Sequence, residues 1–228
     1  MKRVNLPIPV PRRRELSYSE FKYVITDKYY LPAPKQGIRR EIDSVLLARR
    51  TRRVFKSISL NKLSLLLWYS ARAISVADPS AYSRWQHRPA PSAGGRHPID
   101  LLVLRKCECS WQIYLYDPVS HAISNLALRD DTSPEQFINY INQVVPVGQA
   151  TVIWFGAQFD RTMAKYKNGE SLVWRDAGAL ISVISIVAEA IEMNSCAVGV
   201  TGEPWLSNLL NSSGKVLGAG GMLVGCRQ

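Results

Sequence analysis

The stretch from residue 174 to residue 193 most constrains the fold, because apolar side chains fall on every side of a helix drawn through it. A helix that is hydrophobic all round is stable only when protein or lipid surrounds it. The longest apolar run inside it, residues 177–191, is interrupted by two serines and a glutamate. It is shorter than the ~18 residues of a membrane-spanning segment. We therefore expect this helix in the middle of the protein or in a dimer interface.

The remaining composition is that of an ordinary globular protein. The chain has 228 residues, of which 46% are hydrophobic and 21% are charged, and a chain of this size buries roughly 70–75% of its unfolded surface. Its basic start is followed by Pro7, Pro9 and Pro11, where a signal peptide would need an apolar helix. We predict a soluble cytoplasmic protein that does not bind membranes.

The cysteines and histidines form no recognisable metal-site pattern. Cys107 and Cys109 are a Cys-x-Cys pair, but no second pair follows at the spacing of a zinc site, and the three histidines form no array. We expect reduced thiols and no bound metal.

The net charge of +11 is concentrated near the N-terminus. Residues 1–60 contain 15 Lys or Arg against 5 Asp or Glu, whereas residues 61–228 contain 14 against 13. Prolines and the lack of a sustained period predict that residues 1–38 form an irregular basic arm, followed by one domain over residues 39–228. Such a basic segment can hold nucleic acid, an acidic peptide or a phosphate-bearing cofactor.

Periodicity and turn signals predict five helices and six strands after the arm. The helices are predicted over residues 41–50, 60–73, 134–145, 174–193 and 204–210, with caps at Ser59 or Asn61 and at Ser133. The strands are predicted over residues 99–104, 111–116, 121–126, 151–155, 197–200 and 222–226, and residues 76–98 are predicted to be a loop. This order has no regular β-α-β alternation, so we predict an α+β fold with a mostly antiparallel sheet.

Four arginines surround Thr51 at the end of the first predicted helix: Arg49, Arg50, Arg52 and Arg53. Guanidinium groups bind phosphate in a bidentate manner, and a threonine hydroxyl adds a further donor. A basic helix end that complements its own dipole explains one or two of these arginines but not four. The segment therefore favours a phosphate-bearing ligand.

Two further segments combine residue types that suit a ligand site. In the loop at residues 88–98, Gly94 and Gly95 allow the backbone to approach a planar ligand and Ser92 can donate a hydrogen bond, although a plain surface loop has the same composition. Lys165 stands beside Tyr166, and such a pair can act as acid and base when it is partly buried. The alternative is a solvated lysine beside a core tyrosine.

Taken in order, these segments resemble the nitroreductase-like flavoproteins and, among them, the SagB-type azoline oxidases. The matching segments are residues 31–34, 48–55, 60–68, 88–98, 165–166, 174–178 and 195–199. The resemblance implies a nitroreductase-like fold, a mostly antiparallel sheet flanked by helices and built as an intertwined homodimer. It also implies FMN as the cofactor, bound across the dimer interface.

The resemblance assigns roles to individual positions. Arg49, Arg50 and Thr51 match the family positions that bind the FMN phosphate and ribityl chain. Arg53 matches the position that contacts the pyrimidine edge of the flavin. Pro91, Ser92 and Gly94 match a loop that contacts the flavin and typically comes from the partner subunit. Gly199 and Val200 match the backbone that faces flavin N5. The catalytic pair of azole-forming members is matched by Lys165 and Tyr166.

Three functions are left open by these residues. The first is an FMN-dependent dehydrogenase that oxidises thiazolines or oxazolines to thiazoles or oxazoles in a ribosomally made peptide, working with cyclodehydratase subunits. The second is another flavin oxidoreductase, either an NAD(P)H-dependent nitroreductase or a cyclic dipeptide oxidase. The third is a non-catalytic basic protein that serves as a scaffold or binds nucleic acid, which the resemblance does not favour.

Overall fold

The computed structural model describes residues 7–76, 85–128 and 131–227. The strands are β1 (Val10–Pro11), β2 (Ile25–Tyr30), β3 (Ser75–Val76), β4 (Gln86–His87), β5 (Ile99–Cys107), β6 (Ser110–Asp117), β7 (Ala122–Leu126), β8 (Thr151–Ala157), β9 (Tyr166–Lys167), β10 (Met193–Val198) and β11 (Leu217–Cys226). The helices are α1 (Ile42–Ala48), α2 (Leu60–Ser70), α3 (Pro134–Val144), α4 (Phe159–Met163), α5 (Glu170–Ala190) and α6 (Trp205–Leu210), with a 3₁₀ turn at Ala93–Gly95.

A seven-stranded sheet forms the centre of the protein, in the order β10-β11-β8-β5-β6-β7-β2. Each neighbouring pair in it is antiparallel, which confirms the predicted α+β fold with a mostly antiparallel sheet. Every residue of β8 is buried, because helices cover both faces of the sheet at this strand. The run of β-forming residues at 151–155 is therefore apolar without alternation.

Side chains of successive strand residues pack into two separate cores, one on each face of the sheet. On one face, Ile153 and Phe155 of β8 pack in a cluster that includes residues of α2 and α5. On the other face, Val152 and Trp154 pack in a cluster that includes residues of α3 and α6. The face that carries α5 also carries the candidate site described below.

Helix α5 is the long apolar helix that the sequence predicts, but its bounds differ. It begins at Glu170 and ends at Ala190, whereas the prediction was 174–193, because the apolar pattern continues across a turn at Glu192 into the buried start of β10. By length and composition alone α5 could cross a membrane, which corrects the expectation that no segment is apolar enough. It packs against β10, β11 and α2 and is thus a core helix of this fold.

The N-terminal arm is less irregular than predicted. Strand β2 is the outer strand of the large sheet beside β7, and β1 pairs with β9. All six residues of β2 are exposed, so this strand has no buried face and shows no alternation of polar and apolar residues for sequence reasoning to detect.

The remaining predictions of secondary structure are largely confirmed. Ser59 caps α2 through a hydrogen bond that its hydroxyl accepts from the Lys62 amide at 3.2 Å. Ser133 occupies the N-cap position of α3 as predicted, but its side chain makes no capping hydrogen bond. Strands β10 and β11 begin earlier than predicted, at Met193 and Leu217. Within residues 76–98 the structure places a short strand and the 3₁₀ turn, and residues 77–84 lie outside the described part of the chain.

Candidate functional site

The arginine segment at residues 49–53 lies against the C-terminal part of α5 and the sheet edge formed by β10. Helix α1 ends at Ala48, and the chain continues in extended conformation from Arg49. The Arg52 amide donates to the Ser195 carbonyl at 3.0 Å, and the buried ring of Phe55 anchors the far end of the segment. These contacts hold the segment at a fixed position beside β10.

Arg52 differs from its neighbours because it has a buried partner inside the protein. Its Nη1 lies 2.6 Å from Oε2 of Glu189, and Nη2 of Arg227 lies 2.6 Å from Oε1 of the same carboxylate. Glu189 is 3% exposed. Burial by itself raises the pKa of Glu189, but the hydrogen bonds from Arg52 and Arg227 outweigh it, and the pKa lies below its ordinary value. Arg52 is thus part of the structural framework.

Arg49, Arg50 and Arg53 are exposed, and within the described ranges no hydrogen bond or ion pair holds their guanidinium groups. Arg49 and Thr51 line a groove of about 320 Å³. The other residues that line it are Leu46 of α1, Ile181, Ser182, Ser185 and Ile186 of α5, and Ser195 and Ala197 of β10. Free guanidinium groups and hydroxyls at one apolar-walled groove suit a ligand with a phosphate and a flat apolar part.

Gly199 extends the wall of this groove beyond the end of β10. Residues two apart on a strand point to the same face, so Gly199 follows Ser195 and Ala197 in register. A Cβ placed on Gly199 would meet no atom within 4 Å, so a ligand can approach this backbone closely. The residues present therefore fit FMN: guanidinium donors for the phosphate, and an open backbone for the ring. Val200 is the next residue and packs on the core of the opposite face.

The small-residue loop is fixed to the N-terminal half of α5 by Asp176. The Ser92 hydroxyl donates to Asp176 Oδ2 at 2.5 Å, and the Ala93 amide donates to Oδ1 at 3.1 Å. The Ser92 hydroxyl also accepts from the His97 amide at 2.8 Å. Burial raises the pKa of Asp176, and these hydrogen bonds counteract only part of that rise. Pro91 and Ser92 line a small cavity of about 20 Å³ next to Asp176, which has room for one water molecule.

Lys165 and Tyr166 converge on Gly94 of this loop. A Cβ on Gly94 would lie 2.7 Å from Nζ of Lys165 and 2.9 Å from the hydroxyl oxygen of Tyr166. The φ of Gly94 is 62°, in the left-handed region that favours glycine. Nζ of Lys165 lies 5.9 Å from the centroid of the Tyr166 ring. The two segments that the sequence suggested separately thus form a single arrangement.

The predicted site residues therefore fall into two groups that helix α5 connects. The first group is centred on Arg49 and Thr51, which line the groove beside the C-terminal half of the helix. Its other members are Arg50 and Arg53 of the same segment and Gly199 and Val200, which directly follow β10. The second group is Pro91, Ser92, Gly94, Lys165 and Tyr166, beside its N-terminal half. Asp176, which holds the loop of the second group, and Ser182, which lines the groove of the first, are six residues apart in α5. This corresponds to about 9 Å along the helix axis.

Sequence reasoning gave no role to Asp176, Glu189 or Ser195. Asp176 and Glu189 are carboxylates inside an apolar helix, and a buried carboxylate is stable only with partners, so their positions were a signal that each holds a neighbouring segment. The position of Ser195 at the groove could have been predicted from Gly199, because residues four apart on a strand face the same side of the sheet.

Comparison with known proteins supports this fold. No protein-family model matches the chain, and no curated protein matches it. A candidate nitroreductase from Ralstonia eutropha has a similar structure, with 20% identity, a TM-score of 0.69, and coverage of 97% of this chain and 99% of that one. A chain of the Escherichia coli microcin synthetase McbBCD complex, solved with truncated pro-MccB17 bound, has 17% identity, a TM-score of 0.61, and coverage of 86% and 77%.

An FMN-dependent nitroreductase from Clostridium difficile also has a similar structure, with 14% identity, a TM-score of 0.50, and coverage of 81% of this chain and 86% of that one. These three likenesses extend over 81–97% of this chain, which has a central antiparallel sheet flanked by helices. The protein therefore has the nitroreductase fold.

Proposed function

We propose that the protein is an FMN-dependent dehydrogenase that oxidises thiazoline or oxazoline rings to thiazoles or oxazoles in a ribosomally synthesised peptide. The observation that carries this proposal is the convergence of Nζ of Lys165 and the hydroxyl oxygen of Tyr166 on Gly94. A base and a proton donor then stand next to the loop that is proposed to contact the flavin. This is the arrangement that removal of a proton from a ring held against that flavin needs.

The cofactor is proposed to lie along α5 with its phosphate at the arginine segment. Arg49, Arg50 and Thr51 would bind the phosphate and the ribityl chain, and Arg53 the pyrimidine edge. The residues proposed to contact the flavin ring are Pro91, Ser92, Gly94, Gly199 and Val200. Support comes from the three guanidinium groups without a protein partner in the described ranges and from the groove of about 320 Å³ that Arg49 and Thr51 line.

A homodimer is part of the proposal. The face that carries the arginine segment exposes apolar side chains, with Ile42 64%, Leu46 52% and Leu47 85% exposed. Ile181 and Ile186 of α5 line the groove beside Leu46. A second copy of the chain would cover this apolar surface and enclose the groove.

Azoline oxidation breaks two C–H bonds of the ring and forms one C=C bond. One hydrogen leaves as a proton, and the Lys165–Tyr166 pair, with one of its two groups deprotonated, would take it. The other leaves with its electron pair. FMN held by the arginine segment would supply the acceptor for that electron pair, with dioxygen as the final oxidant. Because the product ring is aromatic, the protein has only to orient the ring and to move the proton.

Cyclodehydratase subunits are the proposed partners, since they form the azoline rings from Cys, Ser or Thr. Support comes from the fold shared with a chain of a microcin synthetase complex that was solved with a truncated pro-peptide.

A second candidate function is an NAD(P)H-dependent nitroreductase, which the fold shared over 97% of the chain with a candidate nitroreductase favours. One experiment separates the two. The purified full chain is loaded with FMN and mixed without oxygen with NADPH in one sample and with an azoline-containing peptide in another. Bleaching of the flavin by the azoline, with azole formed in equal amount, supports the dehydrogenase. Bleaching by NADPH alone supports the nitroreductase.

A basic protein without a flavin site would instead stay colourless with FMN and bind nucleic acid in a steeply salt-dependent manner.

A further inference from the structure

A second groove lies beside Tyr166, between the N-terminal arm and the first turns of α5. Its volume is about 490 Å³, within the range of small-molecule sites. One wall is apolar and consists of arm residues; the opposite wall belongs to α5, and Ala93 of the small-residue loop adjoins both. The lining residues are Pro7, Ile8, Pro9, Pro11, Ala93, Tyr166, Ser171, Leu172 and Arg175.

The arm is attached directly to the turn that carries the proposed catalytic pair. Pro11 pairs with Tyr166 in the short β1–β9 ladder. The Arg12 amide donates to the Lys165 carbonyl at 2.8 Å, and Nε of Arg12 donates to the Met163 carbonyl at 3.1 Å. The apolar wall therefore has a fixed position relative to Lys165 and Tyr166.

The α5 wall presents groups that favour an anion. Arg175 is exposed, is the charged side chain among the lining residues, and forms no hydrogen bond or ion pair with the described parts of the chain. One turn earlier on the same face, the Ser171 hydroxyl is buried and has no hydrogen-bond partner there either. A buried hydroxyl without a partner costs free energy, and a side-chain rotation that brought it to a ligand oxygen in the groove would remove that cost.

The nearby carboxylates do not compete for Arg175. Glu170 is exposed and does not line the groove, Asp176 is bound to Ser92 and Ala93, and Glu15 is paired with Arg96. The start of α5 at Gly169 has no side-chain cap, and the helix dipole adds to the positive potential there.

We infer that this groove admits the ring that is oxidised and that Arg175, with the Ser171 hydroxyl, binds a carboxylate carried on that ring or on the next residue. This inference rests on the proposed function and specifies its substrate as an azoline with an adjacent carboxylate. The arm supplies the apolar surface for the ring substituent. Arg175 determines specificity because it contacts the substrate and no protein carboxylate.

The test is calorimetric titration of the full-length protein with three azoles, which bind without being oxidised. The first is 2-phenylthiazole-4-carboxylate and the second is the corresponding carboxamide. The third is the first acid joined by an amide bond to the amino group of aspartate α-amide, so that it is also an acid, with its carboxylate on the aspartate side chain. At least one of the two acids is expected to bind about tenfold more tightly than the carboxamide. Arg175→Ala reduces that preference to within about twofold, and Ser171→Ala weakens acid binding by a smaller factor. Arg14→Ala, which removes an equal charge from an exposed arm residue, retains the preference.

The tighter of the two acids identifies whether the carboxylate is at a chain end or on a side chain. Equal binding of all three azoles to the parent protein, or a preference that survives in Arg175→Ala, overturns the inference. The proposed function is judged separately, by FMN content and azoline oxidation. A carboxylate preference in a protein that oxidises no azoline would contradict that function and leave the binding site standing.

Discussion

The carboxylate of Glu189 and the guanidinium group of Arg52 form an ion pair with a 2.6 Å distance between Oε2 and Nη1, and this pair divides the arginine segment into two roles. Arg52 stabilises the fold by satisfying a carboxylate that is 3% exposed. Arg49, Arg50 and Arg53 have no such partner within the described ranges. Removing the second kind of arginine should therefore weaken ligand binding without weakening the fold.

We expect the double variant Arg49→Ala, Arg53→Ala to lose FMN while keeping the stability of the parent. Each charge-assisted contact to a phosphate or flavin oxygen contributes about 1.5–3 kcal/mol, so FMN affinity should fall by about 100-fold or more. Fluorescence titration of the apoprotein with FMN measures the affinity, and urea unfolding measures the stability. A double variant that binds FMN like the parent would refute the cofactor site.

Arg52→Ala is the matched contrast in the same segment. The buried Glu189 would retain Arg227 but lose one of its two close cationic partners, and we expect the free energy of unfolding to fall by about 2 kcal/mol. FMN affinity at low temperature should stay within a few-fold of the parent. A loss of FMN with unchanged stability would show that Arg52, rather than its neighbours, contacts the ligand.

Gly94→Ala should reduce azoline oxidation by about tenfold or more, because the added methyl group displaces Lys165 and Tyr166 from their positions. The left-handed backbone also costs about 1 kcal/mol of stability for alanine. Gly148→Ala is the control, since Gly148 has a similar φ of 53° and no atom lies within 4 Å of the added Cβ. Equal turnover in the two variants would show that contact with the pair is irrelevant.

His121 should make the protein less stable in mild acid. It is 5% exposed and its ring nitrogens lie 2.8 Å from the Ser64 and Tyr116 hydroxyls. Burial and, to a smaller extent, the Arg72 charge lower the pKa of His121 to about 4. The unfolded state therefore binds the proton first, and stability falls as the pH drops from about 6.5 to 4, by up to about 3 kcal/mol.

Urea unfolding at several pH values checks this, with His121→Gln as the comparison. The variant starts less stable at pH 7, because the ring and its contacts are gone, but its further loss on acidification should be smaller than that of the parent. Parallel curves for the two proteins would contradict the assignment to His121.

Leu47→Glu should convert the proposed dimer to a monomer, because the side chain is 85% exposed in the single chain and would place a charge in an apolar interface. FMN affinity should fall together with the dimer. Sedimentation velocity gives the oligomeric state. Val119→Glu, a change at an exposed apolar residue in the turn after β6, is the control. A parent protein that sediments as a monomer, or a dimeric Leu47→Glu, would contradict this interface.

The sequence was sufficient for the sheet and most helices because buried strands such as β8 and capped helices such as α2 have local patterns. Strand β2 escaped prediction because exposure on both faces removes the alternation that marks a strand. The convergence of Lys165, Tyr166 and Gly94 could not be derived from spacing, since about 70 residues separate the loop from the pair and only the tertiary fold joins them. The ion pair between Arg52 and Glu189 could not be predicted either, because only the tertiary fold brings the two residues together.

The most direct test of the proposed function is aerobic oxidation of an azoline-containing peptide by FMN-loaded protein, followed by mass spectrometry for the loss of two hydrogens. Lys165→Ala and Tyr166→Phe are expected to retain FMN and to lower turnover by about 100-fold or more, whereas Lys167→Ala, which changes the adjacent exposed lysine, should react like the parent. Turnover that is unchanged in both Lys165→Ala and Tyr166→Phe would contradict the account.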